Sequence, residues 1–182
     1  MTNQRVWLFR GIVILVLIIM AVSFLGGAWW NAAIEPSGPE EGVWIYPYAF
    51  VTQVEGMAAQ YIVAVEVPSF INWVPWVYVA FVVLAIIYCL WKYNSKFSRI
   101  ILGLIGFSYI VYPAFFAFYA KMRMAEFDIP WTGREMVIGD PIGIYVTGFV
   151  NWNYYLAYVA GILFIIVAIF AKKIIGANKN NQ

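Results

Sequence analysis

The sequence predicts an all-α membrane bundle of four transmembrane helices carrying a small β-rich extracytoplasmic cap. Three observations lead there. The 182-residue chain is 64% hydrophobic and 11% charged, with a mean hydropathy of +0.81, outside the range of soluble domains. Four charge-free stretches are long enough to cross a hydrocarbon core of ~30 Å. The charges between those stretches are sorted by sign.

The elements follow in chain order, within a single membrane domain over 1–182. Residues 11–34 are free of charge and follow Arg5 and Arg10. They predict a first helix over about 8–30, closed by Trp29 and Trp30 as interfacial anchors. A secretory signal shares this outline, with small residues at 25–28, but the apolar run exceeds the roughly 7–15 residues of a signal core. The run is therefore read as a span. The first outer loop, 31–70, holds two β-rich runs, VWIYPYAF (43–50) and YIVAVEV (61–67). Pro36, Pro39, Pro47 and Pro68 keep its strands short or at edges.

A second helix is predicted over 71–91 and a third over 99–120, joined by a short basic turn from Lys92 to Arg99. The second outer loop, 121–152, offers two short runs around a Gly-Asp-Pro turn at 139–141. The apolar stretch 141–171 is too long for one helix. Because its start mixes glycine with β-branched and aromatic residues, the fourth helix is placed at 153–171 and the start is left as a strand. Backbone groups near a membrane must be paired internally, which favours strands joining across the two loops.

Charge fixes the expected orientation. Arg5, Arg10, Lys92, Lys96, Arg99, Lys172, Lys173 and Lys179 lie on one side with no carboxylate, and all 9 acidic residues lie on the other with Lys121, Arg123 and Arg134. The positive-inside rule then puts both termini in the cytoplasm and both loops outside, in a plasma-membrane setting.

Two near-identical tetrapeptides, FINW (70–73) and FVNW (149–152), precede the second and fourth helices. Asn72 and Asn151 are read as caps of these inbound helices, and Trp73 and Trp152 as residues at headgroup depth. Ile45, Tyr46 and Phe50 also match Ile144, Tyr145 and Phe149 in spacing. The chain reads as two parallel units, roughly 10–91 and 99–171, forming a pseudo-twofold bundle. The alternative is coincidence in a chain with 9 tryptophans.

Four spans, a larger strand-bearing first loop, a basic inner turn and a smaller second loop resemble the claudin-type tetraspan proteins. Trp30 followed by Gly42-Val43-Trp44 is similar to that family's first-loop Trp and Gly-Leu-Trp. The resemblance implies that family's fold. The family's paired loop cysteines have no counterpart here.

Composition removes most chemistry. Histidine is absent, which excludes bis-His haem, His-ligated zinc or copper, and the Ser-His-Asp triad. Cys89 is the single cysteine, so no intrachain disulfide or Cys-x-x-Cys site exists; it is read as a packing residue. Glu40 and Glu41 sit in a Pro- and Gly-rich turn without a calcium-loop pattern. Thioethers at Met122 and Met124, with Met57 or Met136, suit Cu(I), but packing is the preferred reading. No cofactor is predicted. The spans hold no ionisable Asp, Glu, Lys or Arg, which argues against a pump or ion-coupled transporter. Hydroxyls at Ser23, Ser108 and Tyr109 leave a passive path open. No basic cluster interleaves with aromatics, so no nucleic-acid partner is expected.

In the third helix, Tyr109, Tyr112, Phe116 and Tyr119 recur at steps of three and four and form one stripe beside Pro113. It either receives a lipid tail, quinone or carotenoid, or packs on neighbouring helices with its hydroxyls bonded to carbonyls. Close helix approach is expected at Gly103, Gly106, Gly26 and Gly27. Tryptophans crowd the outer level, with Trp44, Trp73, Trp131 and Trp152 among them, and with the stripe these form the candidate interface. The expected function is a non-catalytic structural or assembly subunit of a larger membrane complex, its partners being membrane lipids and other membrane subunits or itself. The alternatives are a passive carrier or pore for an apolar molecule, and an accessory subunit of a quinone or metal oxidoreductase.

Overall fold

The structure, a computed structural model, describes residues 2–35, 41–53, 69–126, 129–138 and 143–176. Among the described residues the helices are α1 (Thr2–Leu25), α2 (Phe70–Trp91), α3 (Lys96–Ala125) and α4 (Trp152–Ile175). All 4 are long and apolar enough to cross a membrane. Five strands, β1 (Trp30–Glu35), β2 (Gly42–Tyr46), β3 (Ala49–Gln53), β4 (Gly133–Ile138) and β5 (Ile144–Val150), form one sheet. Its order is β3-β2-β1-β5-β4, with every pairing antiparallel. The expected joining of the two loops occurs along β1 and β5, where Trp30 pairs with Val150 and Glu35 with Tyr145. The run 61–67 and the turn at 139–141 lie outside the described residues.

Helix ends depart from expectation for local reasons. The first helix stops at Leu25, five residues short of 30, where Gly26 N donates to Val22 O at 2.8 Å. Gly27 follows at φ +149, and a Cβ there would lie 2.8 Å from Asn153 Nδ2, so the site needs glycine for both backbone and space. The third helix runs on past 120 to Ala125. Lys121 and Arg123 lie beyond the apolar run but do not break the helix, and its last turns serve the sheet. The fourth starts at Trp152 and ends at Gly176, a left-handed cap donating to Lys172 O at 3.0 Å.

The caps also correct the duplicated-motif reading. Asn72 is not a cap. It lies exposed inside α2, whose preceding residue is Ser69. Asn151 does occupy the N-cap position of α4, but its side chain makes no cap bond. It instead donates to Ala28 O at 3.0 Å and Asn31 Oδ1 at 2.8 Å, joining α4 to the start of β1. The two Tyr-to-Phe segments differ as well. Tyr46 and Phe50 are separated by a hairpin turn at Pro47 and Tyr48, whereas Tyr145 and Phe149 share β5. The helices are likewise unequal, because α4 packs along both α3 and α1 while α2 lies beside α3 and touches α1 little.

Two cores result. The bundle core contains Phe9, Val13, Met20, Ile86, Leu102, Tyr109 and Phe164, all buried. Gly106 permits the α3 and α4 backbones to meet, since a Cβ on it would lie 2.6 Å from Gly161 O. The second core lies where the sheet covers the end of α3, with Trp30, Ile34, Val43 and Val146 packed on Ala120, Met124 and Ile129. At the other end of the bundle the α2–α3 turn is closed by Ser98 Oγ donating to Lys92 O at 2.6 Å. Ser95 caps α3 by accepting from Phe97 N at 3.2 Å.

Candidate functional site

The seam between sheet and bundle is built on Trp29. Its ring is fully buried and meets Tyr112, Phe116 and Tyr154 edge-on at 5.6, 5.2 and 5.9 Å between centroids. Its indole Nε1 donates to Ser23 O at 2.8 Å, satisfying a free carbonyl in the last turn of α1. Its backbone N donates to Ile45 O at 2.8 Å, which starts the sheet. Trp30 is also fully buried. It stacks on Trp131 at 5.7 Å and 10°, and its Nε1 donates to Trp131 O at 2.6 Å. The reading of Trp29 and Trp30 as interfacial anchors is therefore corrected, since both side chains are spent inside the protein. No sequence signal separates them from the other tryptophans. Only the chain reversal after Leu25 turns them inward.

The third-helix stripe follows the packing alternative. Tyr109 is fully buried and donates to Met20 O at 3.0 Å. Tyr112 donates to Pro47 O and stacks with Tyr78 at 5.7 Å. Tyr78 OH and Ser108 Oγ lie 2.8 Å apart, and Ser108 Oγ donates to Ile105 O at 2.9 Å. Phe116 is half-buried against Trp29, and Tyr119 is 41% exposed. Of the four, only Tyr119 presents much surface. Trp73 and Trp152 are exposed at the sheet-end starts of α2 and α4.

The thioether pair is not assembled. Met124 is buried under the sheet while Met122 is 53% exposed, as residues two apart on a helix must face different ways. Met136 is exposed on β4, and Met57 lies outside the described residues. Among the described residues no group of three or more His, Cys, Asp or Glu side chains is placed to hold a metal ion.

What remains open is the sheet face turned away from the helices. Strand alternation buries Ala32, Ile34, Val43, Ile45, Ile144 and Val146 and turns Trp44, Asn31, Tyr145 and Phe149 outward. Register aligns these residues. Val51 opposes Trp44, Trp44 opposes Asn31, and Asn31 opposes Phe149, so one row crosses four strands. Val51 is 43% and Phe149 47% exposed. Beside this row lies a polar corner. Arg134 pairs with Glu35 at 2.5 Å and its guanidinium sits 4.2 Å over the Tyr145 ring. Phe149 lies outside the predicted interface; the alternation of IYVTGFV signals that it faces away from Ile144 and Val146, but only the pairing through β1 brings it into one row with Trp44.

A second aromatic group ties the peripheral helix to the cap. Trp76 of α2 lies 5.0 Å from Tyr48 in the hairpin turn and 5.6 Å from Phe24 of α1. Through Tyr48 on Phe24 and Trp76, and Trp29 on Tyr112, Phe116 and Tyr154, the cap is held to all four helices by aromatic contacts and presents its other face as a fixed surface. Comparison with family models, curated proteins and solved structures finds no match to this chain.

Proposed function

We propose that the protein is a non-catalytic tetraspan subunit that docks on another membrane protein through the open face of its sheet. The observation that carries this reading is the in-register row of Val51, Trp44 and Phe149, with exposed Val51 and Phe149 at its ends and half-buried Trp44 between, beside the Arg134 and Glu35 pair. Apolar and aromatic centres flanked by polar groups are what protein interfaces use. The sorting of charges supports a sheet on the extracytoplasmic side, with both termini in the cytoplasm of a plasma membrane. The partner on this reading is the extracytoplasmic part of a second membrane protein, and the claudin-type resemblance enters as a proposal about the fold alone.

A packed bundle interior, filled by Phe9, Met20, Tyr109 and Phe164, weighs against the pore alternative. The third-helix stripe, occupied by Trp29 and Tyr78, weighs against a quinone or pigment resting there. The test is release. Trp44→Ala with Phe149→Ala should free the chain from its complex in mild-detergent extracts, with helicity and melting midpoint retained. Retention of the complex by this folded double variant would sink the proposal. Trp131 is the wrong probe, because it supports Trp30 from beneath.

A further inference from the structure

At the end of the bundle opposite the sheet, a groove of about 420 Å³ opens sideways between α3 and α4, lined by Lys96, Arg99, Ile100, Gly103, Ile165, Ala168 and Ile169. Its floor is apolar and set low by two small residues, as a Cβ on Gly103 would lie 3.8 Å from the Ala168 Cβ. Its mouth is cationic. The two helices run antiparallel, so the Gly103 and Ala168 contact sets their register: Arg99 lies one turn below Gly103 and Lys172 one turn below Ala168, at the same level. Lys96 and Lys173 lie beside them, and Arg5 rests against Gly176 at the end of α4. No acidic residue occurs within 92–103 or 165–176. Among the described residues the ion pairs are Arg123 with Glu126 and Arg134 with Glu35, both at the sheet end.

We propose that this groove holds one anionic phospholipid, its phosphate between Arg99, Lys96 and Lys172 and the upper part of one acyl chain along Gly103 and Ala168. Charge alone would attract a diffuse layer of counterions, and an apolar groove alone would accept any lipid. The two together, stacked along the bundle axis over roughly 10 Å from Lys96 to Gly103, match a headgroup above a chain. The positive end of α3, which begins at Lys96, adds to the field at the phosphate position.

The test uses the full chain in detergent micelles, with bound lipid counted by native mass spectrometry and stability followed by melting. The probes are phosphatidylglycerol, phosphatidylcholine and inorganic phosphate. One phosphatidylglycerol should be retained in preference to phosphatidylcholine and raise the melting midpoint, and inorganic phosphate should do neither. Lys96→Gln with Arg99→Gln should weaken retention roughly twenty-five-fold, since each basic side chain contributes about a factor of five at an anionic surface. Ile169→Trp, at an exposed position on the groove wall, should weaken it with every cation in place. Equal retention of the two lipids, full retention by the folded charge variant, or stabilisation by inorganic phosphate alone would overturn the assignment.

Discussion

Replacing Trp29 separates a structural keystone from an interfacial anchor, two roles that the sequence presents alike. Trp29→Ala removes three edge-on aromatic contacts, each of about 0.5–1.5 kcal/mol. It also leaves Ser23 O, at the end of α1, without the indole that now pairs with it, at about 1–3 kcal/mol. The indole is fully buried, so a cavity is left as well; these terms overlap at one site and do not add, and the whole cost is about 3–5 kcal/mol, that of a buried Trp→Ala. Trp29→Phe keeps a ring in place and loses the N–H, which should cost about 1–2 kcal/mol. Trp152→Ala, at a residue 61% exposed, should stay within about 0.5 kcal/mol. The assay is reversible unfolding in mixed micelles on titration with a denaturing detergent, read by far-ultraviolet circular dichroism. If Trp29→Ala costs less than about 1 kcal/mol, or no more than Trp152→Ala, the seam is not what joins sheet to bundle.

Three further outcomes follow from the geometry. Asn151→Leu loses bonds to Ala28 and Asn31 and should cost about 1–2 kcal/mol, whereas Asn72→Leu, exposed within α2, should be neutral in the same titration; equal costs would restore the capping repeat. Gly106→Leu drives a side chain into Gly161 O and Ile165 and should lower stability by about 1–3 kcal/mol or more, with an unchanged melting midpoint contradicting the close α3–α4 crossing. In a Cys89→Ala background, an impermeant thiol reagent added to intact cells should label Thr132→Cys and spare Asn94→Cys, both exposed positions at opposite ends of the bundle; labelling at 94 would reverse the proposed orientation.

Much of the fold was readable because membrane spans announce themselves by length and missing charge. The four helices and the strands on either side of 139–141 follow from composition and turn residues, whereas 43–50, read as one β-rich run, is broken at Pro47 and Tyr48 into β2 and β3. Strand β1 did not. WNAAIE carries two alanines and no run of β-branched residues, and it forms a strand because β2 and β5 pair with it from both sides. The reversal that frees it depends on Gly26, Gly27 and the approach of Asn153, a tertiary event without a local signature. The same limit explains the tryptophans. Nine similar residues are divided into buried, stacked and exposed sets by contacts distant in sequence. Asn72 and Asn151 share their flanking letters, yet only Asn151 has the start of β1 beside it.

The docking proposal is tested most directly by photocrosslinking in the native membrane. A benzophenone amino acid placed at Phe149, on the open sheet face, should give one stoichiometric protein adduct. The same group at Leu104, which is 61% exposed on the bundle surface, should give none with that protein. Lipid adducts alone at both positions, together with a single 20.8 kDa chain in mild-detergent extracts, would contradict the account.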